Sequence, residues 1–360
     1  MKKIKRILII IQRSNGDVLF SSSLIKALYE EYKLPHIDLL INDDTLAVAK
    51  LIPFIKNIYT FSYKEKQRNR FKQEKNILIN IYKKYDLSIN LTSSDRSVLY
   101  ALIASKKSIS VVEKDQKKSW WKKIFLSNFY FYDNSKHILT QNLTPLTFLG
   151  IKQGNIHHSI DPNSKALISI QNRLSDKGIK EFYIFHPSAQ YLYKILAQNL
   201  RNELLISLSK LGASVIITGS RNNIDLNIKK NLPYLDNVYD FIGETSMEEY
   251  VALSQLSIAY IGMDTLNMHI AAAQNKRIFA VFGPTNLKIW SPWSNELQTS
   301  ARFNMPIQTY GNITIFQANM PCVACHRAGC DGSGKSKCLD NISTQGIIDE
   351  IKNWVKNAKL

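Results

Sequence analysis

The chain has 360 residues, of which 45% are hydrophobic and 21% charged. That is enough apolar material for real cores, which excludes a disordered chain, and the length favours two domains over one. Forty-seven Lys and Arg against 29 Asp and Glu leave a net charge of +18; charge of this sign points to anionic partners, whether nucleic acid, an anionic membrane face or a phosphorylated glycolipid.

Met1-Lys2-Lys3-Ile4-Lys5-Arg6 begins basic, but the apolar run at 7–11 is too short for a signal peptide and Gln12-Arg13-Ser14-Asn15 breaks it. No segment has the length of a transmembrane helix. The reading is therefore a cytoplasmic protein, with room for peripheral contact with the inner membrane. Residues 6–12 form the continuous apolar run of a buried parallel strand. Ser14-Asn15-Gly16-Asp17 follows, then a helical pattern over 18–32. Further strands are predicted at 37–41, 86–91 and 108–112. After Asp161-Pro162 the alternation restarts, with strands at 182–186, 214–218, 238–242, 257–261 and 278–282 and helices between them, such as 196–211 and 247–255.

Two successive series of this kind predict an α/β protein with two Rossmann-like, doubly wound parallel-sheet domains. The expected domains are 1–160 and 161–343, with a hinge near 151–175. A last helix, 344–360, is expected to fold back on the first domain. No internal repeat is visible. Ligands of such sheets bind at the carboxyl ends of the strands, so two domains of this type are expected to face each other across a cleft. Each candidate motif follows a predicted strand: Gly16-Asp17, Pro187-Ser188-Ala189, Gly219-Ser220, Asp264-Thr265 and Gly283-Pro284-Thr285. A strand that stops at Asp264-Thr265 and restarts as a helix through Leu266 and His269 leaves backbone N–H groups open to an anion. That points to a nucleotide or sugar diphosphate.

Two other stretches carry chemistry. Lys117, Lys118, Trp120, Trp121, Lys122 and Lys123, with aromatics close behind, interleave cations and rings in the manner of an interfacial surface. Nucleic acid could meet such a patch, and an ordinary amphipathic helix is the plainer alternative. In the segment 322–338, Cys322, Cys325, Cys330 and Cys338 have a first pair at the spacing that lets two thiolates share a tetrahedral ion. They can hold a structural Zn or Fe, or remain four reduced thiols.

The motifs together resemble glycosyltransferase family 9, the lipopolysaccharide heptosyltransferase group. Arg6-Ile7-Leu8-Ile9-Ile10 with Asn15-Gly16-Asp17-Val18-Leu19 resembles its opening strand and Gly-Asp loop. Tyr85-Asp86-Leu87-Ser88-Ile89-Asn90-Leu91 with Arg96-Ser97 resembles a middle motif, and His137 and Leu149-Gly150-Ile151 an interdomain segment. His186-Pro187-Ser188-Ala189 with Lys194 is similar to the start of the nucleotide domain. Asp264-Thr265, Met268-His269, Ala271-Ala272-Ala273, Phe282-Gly283-Pro284-Thr285 and Trp290 carry the most specific signature. The chain departs from the pattern at Leu266, where the family has Gly, and at Ile195, where it has Trp; no clear acidic ribose partner follows Gly219, whose neighbours include Arg221 and Asp225.

The resemblance implies a GT-B fold and an inverting, metal-independent transfer of heptose from ADP-heptose to an anionic lipooligosaccharide or lipopolysaccharide inner-core glycolipid, with no nucleic acid involved. It implies Asp17 as the base that takes the acceptor's proton, where the plainer role is a helix cap. Lys194, Ser188, Gly219, Asp264, Thr265, Leu266 and His269 would hold the donor, Lys194 offsetting the charge of the leaving diphosphate. A surface lysine and a packed histidine are the plainer readings of Lys194 and His269. Rival functions are a family 9 transferase of another sugar, a protein O-heptosyltransferase (some of which are thought to use a four-cysteine metal site) and, remotely, a metal-knuckle nucleic-acid-binding protein.

Overall fold

In the computed structural model, which describes residues 4–358, the chain forms two compact units that divide between Ser159 and Ile160. The first holds strands β1 (Arg6–Ile11), β2 (His36–Asn42), β3 (Ile55–Phe61), β4 (Leu87–Asn90), β5 (Ser108–Val112) and β6 (Asn128–Phe131). Its helices are α1 (Asn15–Leu19), α2 (Ser22–Glu31), α3 (Leu46–Ala49), α4 (Lys66–Ile81), α5 (Asp95–Ala104), α6 (Gln116–Phe125), α7 (Ile138–Asn142) and α8 (Thr144–Phe148). The strands are all parallel, in the order β3-β2-β1-β4-β5-β6. β1 lies at the centre because it is apolar on both faces: residues 7–11 are at most 1% exposed, each such side chain contributing roughly 1.5–3 kcal/mol on burial.

The second unit repeats the plan. Its strands are β7 (Phe182–His186), β8 (Ser214–Ile217), β9 (Val238–Asp240), β10 (Ala259–Met263), β11 (Arg277–Val281), β12 (Ile307–Tyr310) and β13 (Ile313–Phe316). Their order is β12-β13-β11-β10-β7-β8-β9, and only β12 runs antiparallel to its neighbour. The helices are α9 (Ser164–Asp176), α10 (Gln198–Leu208), α11 (Asn223–Lys230), α12 (Met247–Leu256), α13 (Leu266–Ala273), α14 (Leu287–Trp290), α15 (Lys337–Asp340) and α16 (Thr344–Ala358). Apart from the β12 edge, both sheets have the dinucleotide-fold order, with the first strand at the topological switch point. The sequence shows no repeat, yet the two units share this order.

Several expectations shift. The helix expected over 18–32 breaks into α1 and α2, where the Ser21 hydroxyl donates to the Val18 carbonyl at 2.7 Å and competes with the helical ladder. Strand β10 runs to Met263 instead of ending at 261. Gly262 lies in it because β7 approaches closely: a Cβ there would stand 2.4 Å from the His186 carbonyl oxygen. Also unpredicted are β3 and β6, the partly exposed edge strands of the first sheet, and β12 and β13 of the second. The helix expected at 344–360 spends its apolar stripe on the second unit. Ile347, Ile348 and Ile351 are buried in that unit's core, and Trp354 meets the Phe279 ring edge-on at 5.6 Å. The last two residues of that expected span lie outside the described residues.

Candidate functional site

In the second unit, α13 begins directly after β10. Thr265 holds the N-cap position in extended conformation, but its side chain makes no capping bond; its hydroxyl lies 3.3 Å from that of Tyr260. The N–H groups of the first turn are therefore left to another acceptor, and the helix dipole makes that place attractive to an anion. Leu266 is the first residue of this helix and is not among the positive-φ positions, so the departure from Gly costs no backbone strain here. Asp264 is buried, and its carboxylate accepts from Lys194 Nζ at 2.8 Å. Burial pulls the Lys194 pKa down, but the Asp264 carboxylate outweighs it and the net shift is upward. Lys194 is thus a fixed, largely buried cation near the open end of a helix and not a solvated surface lysine.

Ser188 is buried in the loop after β7. Gly219 follows β8 and is confined by Asp225, whose carboxylate carbon would lie 3.1 Å from an added Cβ. Asp225 holds its own loop through one oxygen: its Oδ2 accepts from the Ser220 backbone N–H and hydroxyl, both at 2.7 Å, and from Asn222 Nδ2 at 2.8 Å. Arg221 is also engaged, its Nε donating to the Gly243 carbonyl at 2.7 Å. His269 is buried in α13, one turn in from Thr265. Ser188, Gly219, Lys194, Asp264 and Thr265 thus all follow strands of one sheet at their carboxyl ends.

In the first unit Asp17 follows β1 in the same manner and is 4% exposed. Its Oδ2 accepts from the Ser14 hydroxyl at 2.7 Å and from the Ser14 N–H at 3.3 Å, and its Oδ1 faces Arg13 Nε at 3.0 Å. Asp17 therefore closes a capping box at the start of α1. The capping role read from the sequence is real, and it holds the carboxylate in one place at the carboxyl end of the central strand.

The four cysteines are reduced and border one small pocket together with Pro284, Arg327 and Ser336. Burial, followed by repulsion from Cys330, Cys325 and Cys322, pushes the Cys338 thiol up to about 11. The donor chemistry suits a soft metal ion. Among the described residues, however, no three His, Cys, Asp or Glu side chains stand close enough to share one. The segment is tied to the loops just described: the Ser336 hydroxyl donates to the Tyr193 carbonyl at 2.7 Å, and the His326 N–H to the Pro284 carbonyl at 2.9 Å.

Lys122, expected at the surface, is fully buried. Its Nζ is held by Asp95 and Glu113 oxygens, each at 2.7 Å, and by the Ser93 carbonyl at 2.7 Å. Trp121 packs against the cluster of Val98, Val112 and Leu126. Only one arc of α6 reaches solvent, and it carries Lys117, Lys118 and Trp120, with Lys123 half-buried.

The sequence profile of glycosyltransferase family 9 (heptosyltransferase) matches residues 80–309, more than half of the chain. This chain belongs to glycosyltransferase family 9. As a family 9 protein it is a glycosyltransferase, and its two parallel-sheet units form the GT-B fold. Lipopolysaccharide heptosyltransferase 3 of Escherichia coli K12 is 26% identical over 294 residues, which cover 79% of this chain and 84% of that protein. Among solved structures, a family 9 glycosyltransferase from Veillonella parvula aligns with a TM-score of 0.77 at 16% identity, covering 98% and 97% of the two chains. The ADP-heptose LPS heptosyltransferase II of E. coli aligns at 0.72 and 18%, covering 99% and 100%. The dodecameric iron-containing heptosyltransferase TibC, solved with ADP-D-beta-D-heptose, aligns at 0.53 and 11%, covering 99% of this chain and 78% of its own.

His186 opens the His186-Pro187-Ser188-Ala189 motif, where sequence alone assigns it no role. The His186 ring is buried, and its Nδ1 lies 3.0 Å from the Thr218 hydroxyl and 3.1 Å from Asn267 Nδ2. It therefore links the ends of β7 and β8 to the first turn of α13. A His directly before Pro at the end of an apolar strand was the available signal. The partner Asn267 sits 81 residues away and gave none.

Burial lowers the His186 pKa from 6.5 to about 4, against the opposing pull of Asp225 and Thr218. A depressed pKa means that the unfolded chain binds the proton more readily. The stability that His186 contributes is thus complete above pH 6.5 and lost as pH falls toward about 4. Melting temperature measured across that window should fall with acidification, and His186→Gln should show a shallower slope. Equal slopes in the two proteins would remove His186 as the titrating group.

Proposed function

We propose that this family 9 enzyme transfers heptose from ADP-heptose, with inversion, to a hydroxyl of an anionic lipooligosaccharide or lipopolysaccharide inner-core acceptor at the cytoplasmic face of the inner membrane. The observation that carries the donor half is the uncapped first turn of α13 beside the Lys194–Asp264 pair. The names of the relatives support the sugar and the acceptor class. The acceptor hydroxyl attacks the anomeric carbon as the bond from that carbon to the diphosphate oxygen breaks. The hydroxyl's proton passes to Asp17, and the negative charge left on the nucleoside diphosphate is met by Lys194 and the α13 N–H groups. Asp264 keeps Lys194 charged when the site is empty. Ser188, Gly219 and Thr265 complete the donor edge, and His269 supports α13 from within. In this reading one of the partners of Asp17, Ser14 or Arg13, gives way as the acceptor hydroxyl arrives.

The four-thiol segment has the donor set for a structural Zn or Fe ion with no part in the displacement, and Cys322, Cys325, Cys330 and Cys338 would have to draw together to hold one. The iron-containing heptosyltransferase TibC shares the fold, which is in keeping with a metal at these thiols; the rival acceptor is a protein hydroxyl. Transfer to a purified glycolipid and not to protein from the same cells separates the two.

Asp17→Asn keeps an oxygen for Ser14. It should lower transfer by on the order of 10²–10⁴-fold while leaving ADP binding unchanged and the melting temperature only slightly lower, the Arg13 ion pair being lost. Full turnover, or a fall in melting temperature that accounts for the lost activity, would assign Asp17 to capping alone. In a thermal-shift panel of ADP, UDP, GDP and CMP, ADP should stabilise most, and Lys194→Ala should lose that shift. A flat panel with the parent protein counts against the donor assignment. Elemental analysis of the purified protein should find stoichiometric Zn or Fe, and chelation should release four reactive thiols and lower the melting temperature. Metal-free protein with four reactive thiols and full stability rejects the metal.

A further inference from the structure

Three helices of the first unit share one face of its sheet. The crossovers β3 to β4, β4 to β5 and β5 to β6 all step the same way across the strand order, and right-handed connections then place α4, α5 and α6 on the same side. The cores agree: Ile77 and Ile81 of α4 pack with Tyr100, Ala101 and Ala104 of α5, and Val98 and Leu102 of α5 join Trp121 and Leu126 in another cluster. Between residues 61 and 131 there are 16 Lys and Arg against 6 Asp and Glu, so more than half of the chain's net charge of +18 falls in this stretch. Several of the acids are occupied. Glu74 accepts from the Tyr100 hydroxyl, Asp95 and Glu113 close on Lys122, and Asp115 caps α6. Asp115 and Glu74 also lie 4.0 Å from Lys118 Nζ and Arg70 Nε, and the excess of cations over acids leaves most of the other outer lysines unneutralised.

Large apolar side chains point outward from the same three helices: Phe71 (89% exposed) and Ile79 on α4, Leu99 on α5, and Trp120 (60%), Ile124 and Phe125 on α6. Cations surround them. Arg68, Arg70, Lys72 and Lys75 flank Phe71 in sequence, and Lys123 Nζ lies 5.2 Å from the Phe131 ring centroid. At the other end of α6, the Ser127 hydroxyl donates to the Lys106 carbonyl at 2.8 Å, which brings the exposed Lys106 to the same edge.

We infer that the α4–α5–α6 face docks on an anionic lipid bilayer, with the lysines on the headgroup phosphates and the six apolar side chains in the acyl boundary. The inference gives a surface to the membrane side of the proposed function. Charge complementarity selects an anionic partner, and the apolar residues select a bilayer over nucleic acid. Rings can stack on bases, but Ile79, Leu99 and Ile124 gain nothing from a phosphate backbone and gain by leaving water for acyl chains. The face is three helices wide, where the sequence reading had only the 117–123 stretch.

The test is co-sedimentation of the full chain with vesicles of phosphatidylcholine, alone or mixed with phosphatidylglycerol, without donor or sugar acceptor. Binding is expected to the anionic vesicles only, weakening as salt rises. A Trp120→Ser, Phe125→Ser double variant and a separate Phe71→Ser variant should each bind more weakly. Lys117→Glu with Lys118→Glu should weaken binding by roughly thirtyfold or more. All three alter exposed positions and should melt like the parent. No binding to anionic vesicles, equal binding to both kinds, or parent-like binding by the apolar variants overturns the inference, as does an RNA duplex that outcompetes the vesicles. ADP binding by the same proteins reports on the donor site alone, so a failed docking face and a failed donor assignment give different results.

Discussion

A strand in a parallel sheet can be followed by a parallel neighbour only if the chain crosses back over the sheet. Every strand therefore delivers its last residue to one edge, and the helix that follows starts there with unpaired N–H groups. In this protein that constraint places Asp17 after β1, Ser188 and Lys194 after β7, Gly219 after β8 and Asp264-Thr265 after β10. The apolar interior of each strand holds the edge still. Gly262 is the cost of it, since any side chain there would run into the His186 carbonyl.

The polar groups near these edges differ in how completely they are held, and that difference separates structural from reactive ones. Lys122 has two carboxylates and a carbonyl around one ammonium group; an ammonium with its three donors used is locked in place. Lys194 has a single carboxylate, Asp264, at 2.8 Å, and donors left over for another anion. Asp17 lies between these cases. Its partners, Ser14 and Arg13, are both within four residues of it, so the cap belongs to the loop itself and can be exchanged without disturbing the sheet.

The cysteine segment and the loops beside it are one structure. Ser336 bonds the carbonyl next to Lys194, and His326 bonds the Pro284 loop. Any change at the thiols therefore reaches backbone that the donor assignment depends on. The sequence, which places these cysteines some 130 residues after Lys194, carries no sign of that coupling.

Periodicity and turn chemistry made the doubly wound architecture, the central strands and the loops after them legible, because buried parallel strands are apolar on both faces and stop at small or polar residues. The edge strand β3 was not legible, since it is partly wet and its apolar residues are interrupted by Lys56 and Asn57; the short aromatic run of β6 reads equally well as part of the amphipathic segment before it. The motif residues could be read as candidates but not sorted. The 117–123 stretch offered four lysines and two tryptophans of equal standing, and only packing buried Lys122 and set Trp121 against a core cluster while turning Trp120 outward. The joining of α4 and α6 into one cationic, apolar face follows from the handedness of the crossovers, and the pairing of His186 with Asn267 from the meeting of β7 with α13. Both depend on contacts distant in sequence. Local pattern determined which elements form; tertiary packing decided which of their polar groups are satisfied and which remain available.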